Sequence, residues 1–191
     1  YAHMGPTNAA GPRDLDLSMP ELADPAVLRE RITNGEWVVD LRSRKVFAAG
    51  HVPGAVNFDL DGPFINYLAW MLPWGTPVTL LGSTPEQVHA AHRELVRVGI
   101  DNAVGQATGG PEVWLEDPAG AQRLEQVDFH GVAGALAAGT DICLLDTRQV
   151  LEWESGHIAG AVFMPFYEVA DRLGEIPRDK PVYVYCGSGY R

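Results

Sequence analysis

The sequence predicts an α/β protein made of two copies of one domain. Each copy is a doubly wound, mainly parallel sheet flanked by helices, and the second copy is incomplete at its C-terminus. Three observations carry this reading. First, the chain repeats itself. "WVVDLRSRKVFAAGHVPGAVNF" (Trp37–Phe58) aligns with "ICLLDTRQVLEWESGHIAGAVFM" (Ile142–Met164), placing Asp40 on Asp146, Arg42 on Arg148, His51 on His157, Gly54 on Gly160 and Ala55 on Ala161. All five pairs share one offset, 146 − 40 = 106, which marks a duplicated unit too long for a solenoid repeat. Second, "WVVDL", "PVTLL", "ICLLD" and "VYVYC" are short continuous apolar runs, the pattern of strands buried on both faces of a parallel sheet. Third, these runs alternate with helix-patterned stretches, as βα units require.

The elements follow in chain order. Residues 1–17 read as a tail or linker, 18–106 as the first domain, 107–121 as a linker and 122–191 as the second domain. Asp24 can N-cap a helix with Pro25 at its first position, and Gly35 stops it. "WVVDL" is a strand, "FINYLAWML" a short helix and "PVTLL" a second strand. Thr84-Pro85-Glu86-Gln87 has the form of a capping box, and Val88, Ala91, Leu95 and Val98 mark the buried face of the helix that follows, up to Gly99. "NAVG" is a further strand candidate. The stretch Gln106–Ala121 has the glycine and proline content of a linker, with Trp114 and Leu115 pinned to a domain surface. Trp70, Trp74 and Trp114 are candidates for an interdomain surface or for the core. In the second copy Asp128 caps "FHGVAGALAAG", "ICLLD" is a strand, "YEVADRLGEI" a helix and "VYVYC" a strand. "PVTLLG" falls on "PVYVYC" with offset 186 − 82 = 104, so the loops between have lost only two residues. The first copy continues past that point with a full helix and a strand. By this internal standard the written sequence is expected to be part of a longer chain.

A net charge of −11 argues against nucleic acid or an anionic membrane as a partner, since both need a basic face. An anionic substrate would have to be held locally, by backbone N–H groups and single arginines. Two cysteines, Cys143 and Cys186, are too few for a disulfide framework and suggest a reducing cytoplasm. No run of about 18 apolar residues is present, and the N-terminus lacks the apolar core of a signal peptide. His89 and His92 lie three apart on a helix without an evident third ligand, so no metal is expected, and no cofactor.

The chemistry concentrates at the end of the chain, "VYVYCGSGYR". In a doubly wound fold, ligands sit at the carboxyl ends of strands, where Cys186 stands. Gly187 and Gly189 permit a loop that turns successive N–H groups inward as an anion-binding nest. Arg191 adds a charge of fixed, forked geometry. Such a setting favours a thiolate at Cys186 and makes it a candidate nucleophile. Cys143, inside "ICLLD", reads as a core residue.

"LLDTR", "GHIAGAVFMP" and "VYVYCGSGYR", in that order, resemble a rhodanese (thiosulfate sulfurtransferase) domain. "VVDLR" and "GHVPGAVNF" resemble a second such domain in the first half, so the likeness spans residues 18 to 191. The resemblance implies that Cys186 accepts a sulfane sulfur to become a persulfide. It implies that Gly187, Ser188, Gly189 and Tyr190 bind substrate through loop N–H groups, with Arg191 on the oxygens of an anionic donor. Asp146, Arg148 and His157 would brace the fold beneath the loop. Donors would be thiosulfate or a low-molecular-weight persulfide, and acceptors a small thiol or cyanide. The first domain departs at the decisive position, where Gly82 replaces the cysteine, and is expected to be non-catalytic. The tandem arrangement is also similar to the C-terminal part of metallo-β-lactamase-fold persulfide dioxygenase fusions, which implies such a domain in the same polypeptide. Two alternatives stand beside sulfur transfer. One is a non-catalytic rhodanese-like interaction module. The other is a rhodanese-fold phosphatase or arsenate reductase, whose loop is one residue longer than the spacing here, 191 − 186 = 5.

Overall fold

The computed structural model describes residues 4–11 and 16–190. A short helix, α1 (Met4–Ala10), precedes the first domain. That domain runs α2 (Pro25–Thr33), β1 (Trp37–Asp40), α3 (Arg44–Ala49), β2 (Val56–Asn57), α4 (Phe64–Met71), β3 (Val78–Gly82), α5 (Pro85–Arg97), β4 (Ala103–Thr108) and α6 (Pro111–Trp114). The second runs α7 (Phe129–Ala137), β5 (Cys143–Asp146), α8 (Val150–Glu154), β6 (Val162–Phe163), α9 (Val169–Arg172) and β7 (Val182–Tyr185). Strand order is β2-β1-β3-β4 in one sheet and β6-β5-β7 in the other, with every pairing parallel. The two orders superimpose on the sequence repeat, so the duplication is one of topology as well as of residues.

Alternation along the first sheet divides its core in two. Val39, Leu41 and Leu80 face α4 and α5 and pack with Phe64, Leu68, Val88, Ala91 and Leu95. Val38 and Leu81 point the other way, onto Leu28, Val52, Ala107 and Trp114. Burying each such aliphatic side chain stabilises the fold by roughly 1.5–3 kcal/mol. This two-sided burial is why the strands read as unbroken apolar runs.

The expected caps are present. Asp24, Thr84 and Asp128 accept hydrogen bonds from the N–H groups of Val27, Gln87 and Gly131, each at the third position of its helix. Three expectations need correction. Helix α5 ends at Arg97, and Val98 is exposed rather than on the buried face. "YEVADRLGEI" is not one helix but a four-residue turn of helix between two 3-10 turns. Gly174 weakens its interior and Pro177 holds the residue before it extended. The segment read as a linker belongs largely to the first domain. Strand β4 continues to Thr108, and Trp114, 1% exposed, lies in the core beneath β1 and β3. Gln122 then pairs with His51 through two main-chain bonds of 3.0 Å, fastening the chain to the first domain before it leaves for the second.

Candidate functional site

Strand β7 is paired with β5 and delivers Cys186 to the carboxyl end of the second sheet. The turn is braced from below. The carbonyl of Tyr185 accepts both the N–H of Thr147 (3.0 Å) and its hydroxyl (3.1 Å). Beyond Cys186, whose residue is 8% exposed, the chain curls back, with Gly187 and Ser188 open to solvent. Gly189 has φ of +71°, a left-handed conformation that favours glycine. The turn aims its N–H at the Cys186 Sγ, 3.1 Å away. A main-chain donor on the sulfur is what a loop must supply to hold negative charge there.

Asp146 and Arg148 form a clamp at the carboxyl end of β5. The Asp146 carboxylate is fully buried and accepts the Arg148 main-chain N–H (3.0 Å), its Nε (3.0 Å) and its Nη2 (2.7 Å). Arg148 also donates to the carbonyl of Gly156 at 2.8 Å, tying the end of β5 to the end of α8. Burial alone would raise the Asp146 carboxyl, but the bonds from Arg148 and the Tyr185 side chain outweigh it and hold the group below its ordinary value. The Asp146 bond in turn raises the Arg148 guanidinium. His157 stacks on Trp153 at 3.5 Å between ring centroids, with Nδ1 3.1 Å from the Trp153 carbonyl. The ring is exposed.

The remaining sequence candidates fall elsewhere. Arg191 lies outside the described residues. Cys143 is buried at the amino end of β5, the opposite end of the sheet from Cys186, and both cysteines are free thiols. His92 is buried, its Nδ1 has no hydrogen-bond partner among the described residues, and burial lowers its pKa. Among the described residues no group of three or more His, Cys, Asp or Glu side chains could hold a metal ion, and no helix is long and apolar enough to cross a membrane.

The first domain contributes in two ways that the sequence does not announce. At its own loop, Gln87 Oε1 accepts the Ser83 N–H at 2.7 Å while its amide donates to the Leu41 carbonyl at 3.0 Å. The reciprocal half of the expected capping box is therefore redirected to the loop itself. In addition, Tyr190 crosses to the first domain. Its hydroxyl donates to the main-chain carbonyl of Asp59 at 2.6 Å, and its ring lies 5.4 Å from that of Tyr67. The contact joins residues 131 apart, and no local pattern encodes it. Tyr67 and Trp70 also pack on Phe166, which puts Trp70 at the interdomain surface. Beside them is a cavity of about 230 Å³ lined from both domains, by Phe58, Tyr67 and Met71 on one side and Phe166, Val184 and Tyr190 on the other.

The family model for the rhodanese-like domain matches residues 24–117 and 131–191. A protein of Allochromatium vinosum named "Sulfurtransferase" is 34% identical over 68 residues, covering 36% of this chain and 64% of that protein. A "putative sulfur carrier protein", YrkF of Bacillus subtilis, is 29% identical over 99 residues, covering 52% of this chain and 46% of that one. The chain thus spans less than two thirds of the length of either relative. Among solved structures, a complex of an EanB variant with hercynine aligns with a TM-score of 0.50 at 20% identity, over 80% of this chain and 42% of that chain, a likeness of fold alone.

Proposed function

We infer that this chain, which belongs to the rhodanese-like domain family, carries sulfane sulfur from a donor to a thiophilic acceptor on Cys186. The observation that supports the reading most directly is the Gly189 N–H directed at the Cys186 Sγ at the carboxyl end of a parallel strand. Relatives named for sulfur transfer and sulfur carriage support the same class of chemistry.

The reaction is a double displacement. The Cys186 thiolate attacks the outer sulfur of thiosulfate. The donor's S–S bond breaks with its electron pair on the departing sulfite, and a new bond joins Sγ to the transferred sulfur. The product is a persulfide anion, whose charge the loop N–H groups of Gly187 to Tyr190 stabilise, with Arg191 on the donor's oxygens. A thiolate or cyanide acceptor then attacks the outer sulfur, and the electron pair of the broken bond returns to Cys186 as thiolate. No cofactor takes part. A low-molecular-weight persulfide can replace thiosulfate in the first step. A metallo-β-lactamase-fold persulfide dioxygenase domain in the same polypeptide would draw on the same persulfide pool, although none of the matches above supports that fusion. A reducing cytoplasm is the setting in which a free Cys186 thiol is maintained.

The first domain is non-catalytic in this scheme, because Gly82 stands where a thiol is needed. The test is the intact mass of the full polypeptide before and after thiosulfate. The expected result is a gain of one sulfur atom, reversed by dithiothreitol and absent in Cys186→Ser. No gain in the wild type with any sulfane donor, or an undiminished gain in Cys186→Ser, overturns the reading.

A further inference from the structure

We propose that the thiol-free first domain is a working part of the sulfur-transfer site, gripping Tyr190 and so fixing the loop that holds Cys186. The inference rests on the sulfur-transfer reading of Cys186 and assigns Tyr190 as a positioning residue. The loop has little stiffness of its own. Gly187 and Gly189 are both free to rotate, and among the described residues the Gly189 N–H is the one group that ties the turn to the sulfur. Tyr190 directly follows Gly189, and consecutive Cα atoms are about 3.8 Å apart. A fixed Tyr190 therefore limits how far the Gly189 N–H can swing away from the sulfur.

The groups that seat the Tyr190 side chain include Asp59, Gly62 and Tyr67 of the first domain. The Asp59 carbonyl accepts the Tyr190 hydroxyl at 2.6 Å and the Gly62 N–H at 3.0 Å, closing the turn that forms the socket floor. A Cβ built on Gly62 would stand 1.9 Å from the Tyr190 ring, so the ring occupies the space that a side chain at position 62 would need. Tyr67 closes a third side. Burial, with the negative charge of Asp59, pushes the Tyr190 hydroxyl far above its ordinary range, so it stays protonated and donating at every physiological pH. The same docking brings Arg44 of the first domain to the loop, its Nε 3.9 Å from a Cβ built on Gly189. The repeat places Val150 at the matching position of the second domain, so the fold itself does not require this cation.

The decisive variants sit at both ends of the contact. Gly62→Ala leaves the second domain untouched and has a backbone conformation that alanine accepts, yet it evicts the tyrosine ring. Tyr190→Ala removes the ring itself. Peptide-resolved alkylation of the full-length protein by iodoacetamide reports on the loop without requiring sulfur transfer. Cys143, buried to the same 8% as Cys186, is the internal control. Each single variant is expected to speed Cys186 alkylation on the order of tenfold, leave Cys143 unchanged and slow persulfide formation by a comparable factor. The double variant is expected to be no worse than either single, the signature of residues acting through one contact. Tyr190→Phe, which keeps the ring and loses the hydroxyl, should fall between. An unchanged Cys186 rate in Gly62→Ala, multiplicative effects in the double variant, or equal acceleration of Cys143 and Cys186 overturns the proposal. Absence of a persulfide in the wild type would defeat the sulfur-transfer reading, while the alkylation rates would still decide whether the grip exists.

Discussion

The two domains build one clamp and finish it differently. In the first, Arg42 binds Asp40 through Nε (3.0 Å) and Nη2 (2.6 Å) and reaches the Gly50 carbonyl at 2.8 Å. In the second, Arg148 makes the same set of bonds to Asp146 and Gly156. The difference lies in what covers the guanidinium. Trp114 lies over Arg42 at 4.7 Å and leaves its side chain 6% exposed, whereas Tyr185 lies over Arg148 at 5.6 Å and leaves it 18% exposed. His51 is buried and stacked on Phe47, while His157 is exposed. The loops diverge in the same direction. Aligning Gly82 with Cys186 sets Gln87 on Arg191, so the first domain has an acceptor oxygen on its own loop N–H where the second is proposed to hold an anion. A duplicated framework can thus be sealed in one copy and left open to ligand in the other.

The sharpest way to break this comparison is to return the missing thiol. Gly82→Cys, made in a Cys186→Ser background, is expected to take up no sulfur from thiosulfate by intact mass, so activity stays at zero. Its Cβ would meet Val88 Cγ2 at 2.8 Å and Gln87 Oε1 at 3.2 Å, a crowding that costs about 1–3 kcal/mol. A dithiothreitol-reversible gain of one sulfur atom in that double variant would reduce the difference between the domains to a single residue type.

Next in size are the clamps themselves. Arg42→Ala leaves the fully buried Asp40 carboxylate without its counter-charge and should cost about 3–5 kcal/mol in denaturant unfolding. Arg148→Ala, where water already reaches the guanidinium, should cost less, about 1–3 kcal/mol. Equal losses would mean that the cover over the guanidinium is irrelevant. The second clamp also has a pH signature. The Asp146 pKa is lower in the folded protein than in the unfolded chain, so its stabilisation is fully present above the ordinary aspartate value and is lost as pH falls through the folded value. The stability gap between wild type and Asp146→Asn should therefore be constant near neutrality. It should shrink only once pH drops below the ordinary carboxylate range, as urea midpoints measured from neutral pH down to about 2 will show. A gap that closes already in mildly acidic solution would contradict the lowered value.

Much of this architecture is legible in the sequence because it is periodic or repeated. The five identities of the repeat carry the duplicated topology, the unbroken apolar runs mark strands covered on both faces, and Asp24, Thr84 and Asp128 mark helix starts. The placement of Cys186 at a strand's end follows from the same pattern. What the sequence hides depends on contacts distant along the chain. Gly109, Gly110 and Pro111 have the composition of a linker, yet they turn the chain so that Trp114 enters the first core and covers Arg42, a role set by tertiary packing. Tyr190 reads as one more loop residue, because the Asp59 carbonyl that takes its hydroxyl is a main-chain group and carries no side-chain signature.

The smallest expected effect tests why the first loop is silent. Gln87 spans two strands' ends, accepting the Ser83 N–H at 2.7 Å and donating to the Leu41 carbonyl at 3.0 Å. Gln87→Ala removes both bonds, but Ser83 is exposed, so water can replace the lost acceptor there and only the part-buried Leu41 carbonyl is left under-satisfied. The expected loss is therefore about 1 kcal/mol. Gln87→Arg is the more instructive partner, since it restores the residue type found at the matching position of the second domain. With the internal acceptor gone and a cation in its place, the Ser83 N–H becomes available to an anion. Weak, salt-sensitive sulfate binding at this loop, followed by amide shifts of Ser83, is expected in Gln87→Arg and not in Gln87→Ala or the wild type. Sulfate binding of equal strength in the wild type would show that Gln87 does not close the loop, and that the missing thiol alone separates the two domains.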